Sequence, residues 1–530
     1  MKLMRYIILS LTVFLFAGCS DFLEESSQSN DYVRTWKDLN ELLLGGCYME
    51  VNSTPSQSFA VEGNKGMFLH LLADEVEENN FGLSHFDEHE HVFAYHTWQQ
   101  RTGMKESYTD YYTENNTWTL IYKHINVANN ILKSVVDVPK AMDSDKEGAA
   151  RVTAEAHFLR AFYYFWLVNL YSKPYDPKTA STDLGVPVKT SEQVLDIKFE
   201  RNPVQEVYDL IVSDLLAAEQ EMQQVTKARH SIYRADINSI RLLLSRVYLY
   251  MQNWPKAAEY AQKVIDAHPK LMNLNDDSNY FSTSGNPENI FSMGGDDLQE
   301  MFSPAFQALR VSRDLYSQYS ATDLRRERWY WTYGAFTGLT KRKGAFENLS
   351  TKYETTDIYY YYMYYTHYLS KQAEVSSLFW LRSGEAYLNL AEAEAYMGHE
   401  DQARNALNTL RKARIFKGAA DLLVTSTGSS LITDIRKERR MELALEGHRW
   451  FDLRRYRVCS VQPEKISITH NYTLYKERGQ SEIIETRQFV LTEDDDSWTL
   501  PIPQEVLDFN TGMPNNPNKW REYTVVPTVE

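Results

Sequence analysis

The sequence predicts a mainly α-helical protein, in which tetratricopeptide-like helical hairpins form a scaffold and a loop-rich region with short strands is inserted between them. Three observations lead to this fold class. Two segments carry the residue spacing of helical hairpins. They lie much further apart than the roughly 34 residues of a simple repeat array. The sequence between them is rich in turn-forming residues and tyrosine.

The chain begins with the pattern of a secretory signal. Two basic residues precede an apolar run from Tyr6 to Ala17, which is too short to span a membrane as a helix. Gly18 then leads directly into Cys19, as it does in bacterial lipoprotein signals. We therefore expect residues 1–18 to be a signal peptide and Cys19 to carry lipid. The alternative is that Cys19 merely follows the apolar run.

The composition indicates a globular protein that does not bind nucleic acid. Among 530 residues, 56 are Lys or Arg and 72 are Asp or Glu, so the formal net charge of −16 repels polyanions. Aromatic residues make up 13% of the chain, more than a core of aliphatic helices requires. Cys47 and Cys459 lie far apart in sequence, and we expect two free thiols.

Two segments match the tetratricopeptide spacing, and each predicts a helix-turn-helix hairpin. Small residues at Ser245, Ala257, Ala391 and Ala403 let paired helices approach closely, while larger apolar residues fill the space between them. The segments read INSIRLLLSRVYLYMQNWPKAAEYAQKVIDAHP and AYLNLAEAEAYMGHEDQARNALNTLRKAR.

Apolar stripes predict further helices and divide the chain into regions. Helical spacing is present in TWTLIYKHINVANNILKSV and in TAEAHFLRAFYYFWLVNLY, and the second is apolar nearly all round, so we expect it to be buried. The predicted regions are a helical part at 19–275 with an irregular segment at 52–110, an inserted loop and strand region at 276–375, helical repeats at 376–460, and an irregular C-terminal part at 461–530.

Aromatic residues in the irregular regions are candidates for binding a sugar, because sugar rings present apolar C–H faces edged by hydroxyl groups. One predicted loop carries Tyr95, Trp98 and Gln99. A second set would face one side of an extended strand, and the alternative for this set is that it packs the inserted region onto the helices; it consists of Trp329, Trp331 and Tyr333.

Two other clusters, one of histidines and one of charged residues, have the composition of a functional site. The stretch from His85 to His96 contains four histidines among acidic residues, but its spacing matches no zinc motif, so a solvated acidic loop is the preferred interpretation and no metal is predicted. On a helix, Glu442 and Glu446 lie one turn apart, within reach of Arg439 and Arg449, which favours structural ion pairs over catalysis. No catalytic residue and no cofactor are predicted.

The chain resembles the SusD/RagB family of nutrient-binding outer-membrane lipoproteins. The likeness covers nearly the whole mature chain and rests on several blocks in order, including CSDFLEESSQ, WTLIYKHINVANNIL, LRSGEAYLNLAEAEAYMG, ERRMELALEGHRWFDLRR and LPIPQEVLDFNTGMPNNP. The resemblance implies a helical scaffold with a variable, loop-rich ligand face, anchored to the outer membrane through lipid and facing the cell exterior. It also implies a TonB-dependent transporter of the SusC type as partner and an oligosaccharide or a peptide as ligand.

Three hypotheses about function follow from the sequence. The first is a surface lipoprotein that captures oligosaccharides without catalysis and passes them to the transporter beneath it. The second is a surface glycoside hydrolase that uses two of the many carboxylates. The third is an assembly protein whose repeat groove holds a partner peptide. The sequence does not distinguish one glycan from another, or a glycan from a peptide.

Overall fold

The computed structural model describes residues 33–49, 68–79, 86–108, 117–193, 197–227, 231–276, 281–294, 309–333, 336–339, 341, 374–376, 378–476, 482–517 and 519–527, without the side chains of residues 86–89, 91, 331, 333 and 336. Cys19 and the tyrosine run at 359–365 lie outside the described residues. No described helix is long and apolar enough to cross a membrane.

Helices dominate the described structure, which confirms the predicted fold class. They are α1 (Trp36–Leu42), α2 (Phe68–Leu72), α3 (Phe86–His96), α4 (Thr117–Ser134), α5 (Asp143–Tyr171), α6 (Val204–Met222), α7 (Ile237–Tyr250), α8 (Trp254–Ala267), α9 (Arg313–Ser317), α10 (Leu324–Arg328), α11 (Ser383–Tyr396), α12 (Glu400–Lys412), α13 (Gly428–Glu442), α14 (Arg449–Arg457) and α15 (Gln504–Phe509). Helices α4 to α8 pack one against the next, α8 packs against α11, and α11 packs against both α12 and α13.

Both predicted hairpins form, and their ends are set by local sequence. In the first hairpin, Asp236 caps α7 by accepting hydrogen bonds from the backbone N–H groups of the first turn, and Asn253 caps α8 in the same way. In the second hairpin, Gly398 has a φ of +80° between α11 and α12, a conformation that a residue with a side chain rarely adopts.

The strands are short, and one pair closes the inserted region. They are β1 (Val76–Glu78), β2 (Asn289–Ser292), β3 (Leu309–Val311), β4 (Tyr330–Tyr333), β5 (Phe336–Leu339), β6 (Trp380–Arg382), β7 (Ile468–Tyr475), β8 (Ile483–Leu491) and β9 (Thr524–Val526). Antiparallel pairing joins β1 to β3, β2 to β6, β4 to β5, and β8 to both β7 and β9. Since β2 follows the first hairpin and β6 precedes the second, their pairing brings the chain back to the helical stack.

A buried ion network fastens the inserted region to α13. The Glu442 carboxylate accepts hydrogen bonds from Arg382 at 2.6 Å, Arg414 at 2.8 Å and Arg325 at 2.9 Å, and all four side chains are buried. Arg382 and Arg414 also bind Glu288 beside β2. The charged segment therefore forms structural ion pairs, as predicted, but with other partners. Glu442 binds arginines from other parts of the chain, whereas Arg439 binds Asp452 and Arg449 binds Asp74.

Burial in the helical stack also follows the sequence pattern. Helix α5 is buried along nearly all of its length from Gly148 onward, as its apolar surface predicts. Cys47 and Cys459 are both free and buried, so the expectation of two free thiols is confirmed. Burial raises the pKa of the Cys47 thiol, which keeps that thiol protonated.

Candidate functional site

The first group of predicted ligand residues lies in the core. Tyr95 is in the last turn of α3, where its ring stacks on Phe68 with centroids 4.7 Å apart. The Trp98 side chain is only 2% exposed, and its indole N–H donates a hydrogen bond to the Leu72 carbonyl. Gln99 is buried as well. The prediction that these three residues meet a ligand is therefore wrong, because they follow a helix that packs inward rather than an open loop.

Of the second group of predicted ligand residues, the structure describes only the side chain of Trp329, which is buried. The Trp329 ring is 0% exposed and packs beside Phe281 at a centroid distance of 4.6 Å. The ammonium group of buried Lys341 lies 4.8 Å from the same ring. The structure favours the alternative, in which Trp329 packs the inserted region onto the helices. The prediction that Trp329 binds a ligand is wrong. Trp331 and Tyr333 are on β4, and their side chains lie outside the described residues.

The irregular regions nevertheless form a cleft of about 450 Å³. One wall is the β1–β3 pair, so it combines the segment at 52–110 with the inserted region. The rest of the lining comes from β7 and part of β8, which belong to the C-terminal region. The exposed or half-buried side chains that line the cleft are all polar or charged: Asp74, Glu77, Arg313, Asp314, Ser467, Thr469, Asn471 and Gln488.

Arginine side chains pair with the carboxylates of Asp74 and Glu77 in the cleft. Burial opposes the charge on Asp74, but the guanidinium groups of Arg449 and Arg440 outweigh it and hold the pKa of that carboxyl well below its usual range. Glu77 binds Arg310 at 2.7 Å and Arg313 at 3.4 Å. The Asp74 carboxylate is therefore a hydrogen-bond acceptor that stays charged.

A stack of rings forms the floor of the cleft. The His470 imidazole lies between the His96 ring, at a centroid distance of 4.0 Å, and the Trp98 indole, at 4.5 Å. His96 and His470 line the cleft while both are buried. The ring nitrogens of His470 lie 2.6 Å from the His96 carbonyl oxygen and 3.1 Å from that of Ala73. Trp98 therefore packs on the cleft residue His470 and does not line the cleft itself.

The histidine stretch forms helix α3 rather than the solvated acidic loop that the sequence predicted. Among the described residues, no three His, Cys, Asp or Glu side chains are grouped so that they could hold a metal ion. Of the histidine stretch, His85 and the side chains of His89 and His91 are outside the description, whereas His96 stacks on His470.

The sequence analysis missed the polar residues of the β7 wall. Their signal is an alternation in which Ile468, His470 and Tyr472 are buried while Thr469 is exposed and Asn471 is half-buried. Such a period of two marks a strand with one buried face and one open face. The open face is the one that a ligand can reach.

Two other cavities are present among the described residues. One of about 640 Å³ lies beside α14 and the acidic loop Glu493–Asp496. The other, of about 440 Å³, is an apolar groove between α4 and α15 that includes Trp118, Tyr122 and Phe509. Neither combines the predicted irregular regions in the way that the cleft does.

The fold and the cleft together define a class of protein: a repeat scaffold whose irregular regions converge on a polar cleft. A family model described as "SusD family" matches residues 237–520, which is more than half of the chain. A second, described as "Starch-binding associating with outer membrane", matches residues 21–249. The chain therefore belongs to the SusD family.

Relatives and solved structures agree with this assignment. The chain is 25% identical to "SusD-like protein P2" of Formosa agariphila over 97% of this chain and 98% of that protein. A putative sugar binding protein from Bacteroides vulgatus has a TM-score of 0.67 at 19% identity, covering 92% of this chain and 99% of the other. A laminarin binding SusD-like protein has a TM-score of 0.62 at 19% identity, covering 91% and 99%. At these identities the solved structures support the fold.

Proposed function

We propose that this protein captures oligosaccharides at the cell surface and delivers them to a SusC-like TonB-dependent transporter of the outer membrane. The observation that supports it best is the cleft, where three separate regions of the chain bring acids, a guanidinium, amides and a hydroxyl together. Such groups match the hydroxyl rims of sugars, and a volume of about 450 Å³ lies in the range of small-molecule sites.

Lipid on Cys19 would place the cleft next to the transporter. Lipidation adds roughly 0.8 kcal/mol of membrane affinity for each buried methylene group. Two proteins held at one membrane meet at a high effective concentration, so a weak affinity for each sugar unit is enough for delivery. Replacing Cys19 with Ala should release the protein from the membrane fraction while leaving glycan binding unchanged. Retention of the Cys19→Ala protein in that fraction would contradict the anchor.

The charged groups in the cleft favour binding over glycoside hydrolysis. A hydrolase needs one carboxyl group that is protonated at working pH to act as the general acid. Asp74 is held ionised by Arg449 and Arg440, so it does not supply that proton. We therefore expect purified protein to release no reducing ends from a bound glycan over time.

A peptide is the second candidate ligand. Arg313 and Asp314 are adjacent, exposed and opposite in charge, and both line the cleft. A pair of this kind suits the charged ends of a short peptide as well as it suits sugar hydroxyl groups. A panel of glycans and peptides is therefore needed, and it should include starch and laminarin fragments, the glycans named for the matched family and a solved relative.

The test is affinity electrophoresis and calorimetry on protein expressed from Ser20 onward. Loss of a charge-assisted hydrogen bond costs about 1.5–3 kcal/mol, so Arg313→Ala should weaken binding by roughly 10- to 100-fold. Asn471→Ala should weaken binding about 2- to 10-fold on the same scale. Asn405→Ala is the matched control, because Asn405 is exposed on α12. Wild-type protein that retains no glycan would overturn the proposal.

A further inference from the structure

The charged groups of the cleft differ in how far they reach the solvent. The Asp314 side chain is the most open of the acids, at 66% exposed, and Glu77 and Asp74 are half-buried. The arginines that pair with these acids mostly lie deeper, since the side chains of Arg310 and Arg440 are only 8% and 9% exposed. A ligand that enters the cleft therefore meets carboxylate oxygens before it meets most of the guanidinium groups.

The one arginine of the lining that is exposed, Arg313, is also paired. Its Nε lies 3.4 Å from one Glu77 oxygen, and its backbone N–H donates a hydrogen bond to the other at 3.2 Å. The same Glu77 carboxylate accepts a hydrogen bond from Arg310 at 2.7 Å. Both arginines among the described lining residues thus share one carboxylate. An anionic ligand would have to compete with Glu77 for either of them.

Two arginines outside the lining offset the other acids. Arg440 on α13 binds Asp314 at 2.6 Å and Asp74 at 3.1 Å, and Arg449 donates two hydrogen bonds of 2.7 and 2.8 Å to Asp74. Neither Arg440 nor Arg449 lines the cleft. They neutralise the two acids without offering a guanidinium to the ligand. The carboxylate oxygens that reach the cleft can still accept hydrogen bonds from hydroxyl groups.

The lining from the C-terminal region is uncharged at neutral pH. Burial lowers the pKa of His470 to about 4, so its imidazole is neutral. Ser467, Thr469, Asn471 and Gln488 supply hydroxyl and amide groups, which exchange hydrogen bonds with sugar hydroxyls in both directions. No lysine is present among the described residues that line the cleft. This part of the lining offers nothing to compensate the charge of an anionic substituent that has lost its water.

The charge of the whole molecule acts in the same direction. The chain has a formal net charge of −16, which repels polyanions at long range. Inside the cleft, a carboxylate or sulfate group of a ligand would lie beside the carboxylates of the protein. Like charges brought together in this way suppress the binding of the wrong partner.

We propose that the cleft selects uncharged glycans and rejects glycans that carry carboxylate or sulfate groups, because its arginines are already occupied by its own acids. This inference rests on the proposed function, since it takes the ligand to be a glycan. It names Glu77 and Asp314 as the residues that determine this selectivity.

The test compares neutral glycans with acidic forms of the same backbone by calorimetry. The probes are starch and laminarin fragments and the other neutral members of the panel, each before and after oxidation of its primary hydroxyl groups to carboxylates. Wild-type protein should bind the oxidised chains at least about 10-fold more weakly, because like charges then lie side by side. Oxidation also removes a hydroxyl group from each sugar unit that it modifies, so variants of the protein decide the cause.

Glu77→Gln is the decisive variant, because it releases both lining arginines and keeps a side chain that forms hydrogen bonds. It should bind the oxidised chains roughly 10-fold more tightly than wild type does, since a released guanidinium can donate a charge-assisted hydrogen bond to the new carboxylate. A gain of this kind does not arise from misfolding.

A second variant and a control complete the comparison. Asp314→Asn releases Arg440 from one of its two acids and should strengthen binding of the oxidised chains about 2- to 5-fold, the range of an exposed ion pair. Glu259→Gln is the matched control, because it changes the net charge equally at an exposed position of α8. It should leave the affinities for neutral and oxidised chains unchanged.

The possible outcomes separate this inference from the proposed function. If wild-type protein binds the oxidised chains as tightly as the neutral ones, it captures glycans but the selectivity proposal fails. If Glu77→Gln and Asp314→Asn keep the wild-type ratio of neutral to acidic affinity, the occupied arginines do not cause the rejection, and the proposal also fails. If wild-type protein binds no glycan, both proposals fall together.

Discussion

Glu442 shows how a single buried residue joins several parts of the chain. Its carboxylate meets three guanidinium groups, and these come from α10, β6 and the turn after α12. Burial opposes its charge, but Arg414 and Arg382 outweigh burial and hold the pKa of Glu442 well below its usual range. Gly384 leaves the room for this arrangement, since a Cβ there would lie 2.3 Å from an Arg382 nitrogen.

Replacing Glu442 with Gln should be strongly destabilising. The change removes the negative charge and leaves three buried guanidinium groups with too little compensation, for which we expect a loss of about 3–5 kcal/mol in the free energy of unfolding. Glu259→Gln is the matched control, because Glu259 pairs with Lys256 and Lys263 at the surface, where such pairs contribute about 1 kcal/mol or less. Urea denaturation measures both, and equal losses in the two variants would contradict the argument.

His470 should make stability depend on pH. Burial lowers its pKa from 6.5 to about 4, although the backbone carbonyl of His96, the Asp74 carboxylate and the carbonyl of Ala73 act in the opposite direction. Between pH 6.5 and 4 the unfolded chain therefore binds more protons at this position than the folded protein does. The stability associated with neutral His470 is fully present above pH 6.5 and is lost as the pH falls toward 4.

The measurement is the unfolding free energy of wild type minus that of His470→Gln at several pH values. Glutamine does not titrate, so this difference should fall with decreasing pH by at most about 1.4 kcal/mol per pH unit between pH 6.5 and 4. Above pH 7 the difference should be constant. A difference that does not change over the whole range would show that His470 keeps its ordinary pKa.

At the scale of elements, the local spacing of residues predicts the hairpins. It does not predict which distant segments pack against a given residue. Ser245 and Ala257 are small because α7 and α8 touch there, and the Ser245 hydroxyl donates to the Ala257 carbonyl at 2.9 Å. That contact lies within one hairpin, so sequence spacing contains it. The predicted ligand residue Trp98 has polar neighbours in sequence, yet its ring is buried by His470 from β7, which lies more than two thirds of the chain away in sequence.

The cleft could be predicted only in part for the same reason. Ligand residues were predicted in the segment at 52–110 and in the inserted region, and both of these contribute to the cleft. The C-terminal wall was not predicted, although the alternation along β7 marks the open positions Thr469 and Asn471. What places these next to Arg313 is the packing of β1 between β3 and β7, a contact between distant segments that no local pattern records. Exposed aromatic side chains of the described chain lie outside the two predicted ligand segments, at Tyr233, Phe416, Phe509, Trp520 and Tyr523.

Adding bulk at the first hairpin should test the close approach of α7 and α8. Ala257 is fully buried, and Ala257→Leu would insert three carbons where the helices touch, which costs typically 1–3 kcal/mol. Ala267→Leu is the matched control at the exposed end of the same helix and should change stability by less than about 0.5 kcal/mol. The urea midpoints of the two variants give the comparison. Similar midpoints would mean that the interface has spare room.

At the scale of the whole molecule, the two hairpins form one continuous stack although the inserted region separates them in sequence. Trp254 at the start of α8 packs on Tyr396 at the end of α11, with ring centroids 4.6 Å apart. The Asn389 amide on α11 donates to the Ser245 hydroxyl on α7 at 3.3 Å. The stack therefore becomes complete only when the chain has returned through β2 and β6, and the inserted region is part of the folding unit rather than an appendage.

The ion pair between Arg246 on α7 and Glu385 on α11 offers a direct test of that unity. Two hydrogen bonds of 2.6 and 2.7 Å join the side chains, and both side chains are buried. Removing one partner leaves an uncompensated buried charge, so Arg246→Met and Glu385→Leu should each cost about 3–5 kcal/mol in unfolding free energy. The double variant should lose clearly less than the sum, because it buries no unpaired charge. Additive losses in urea denaturation would mean that the two hairpins do not depend on each other across this contact.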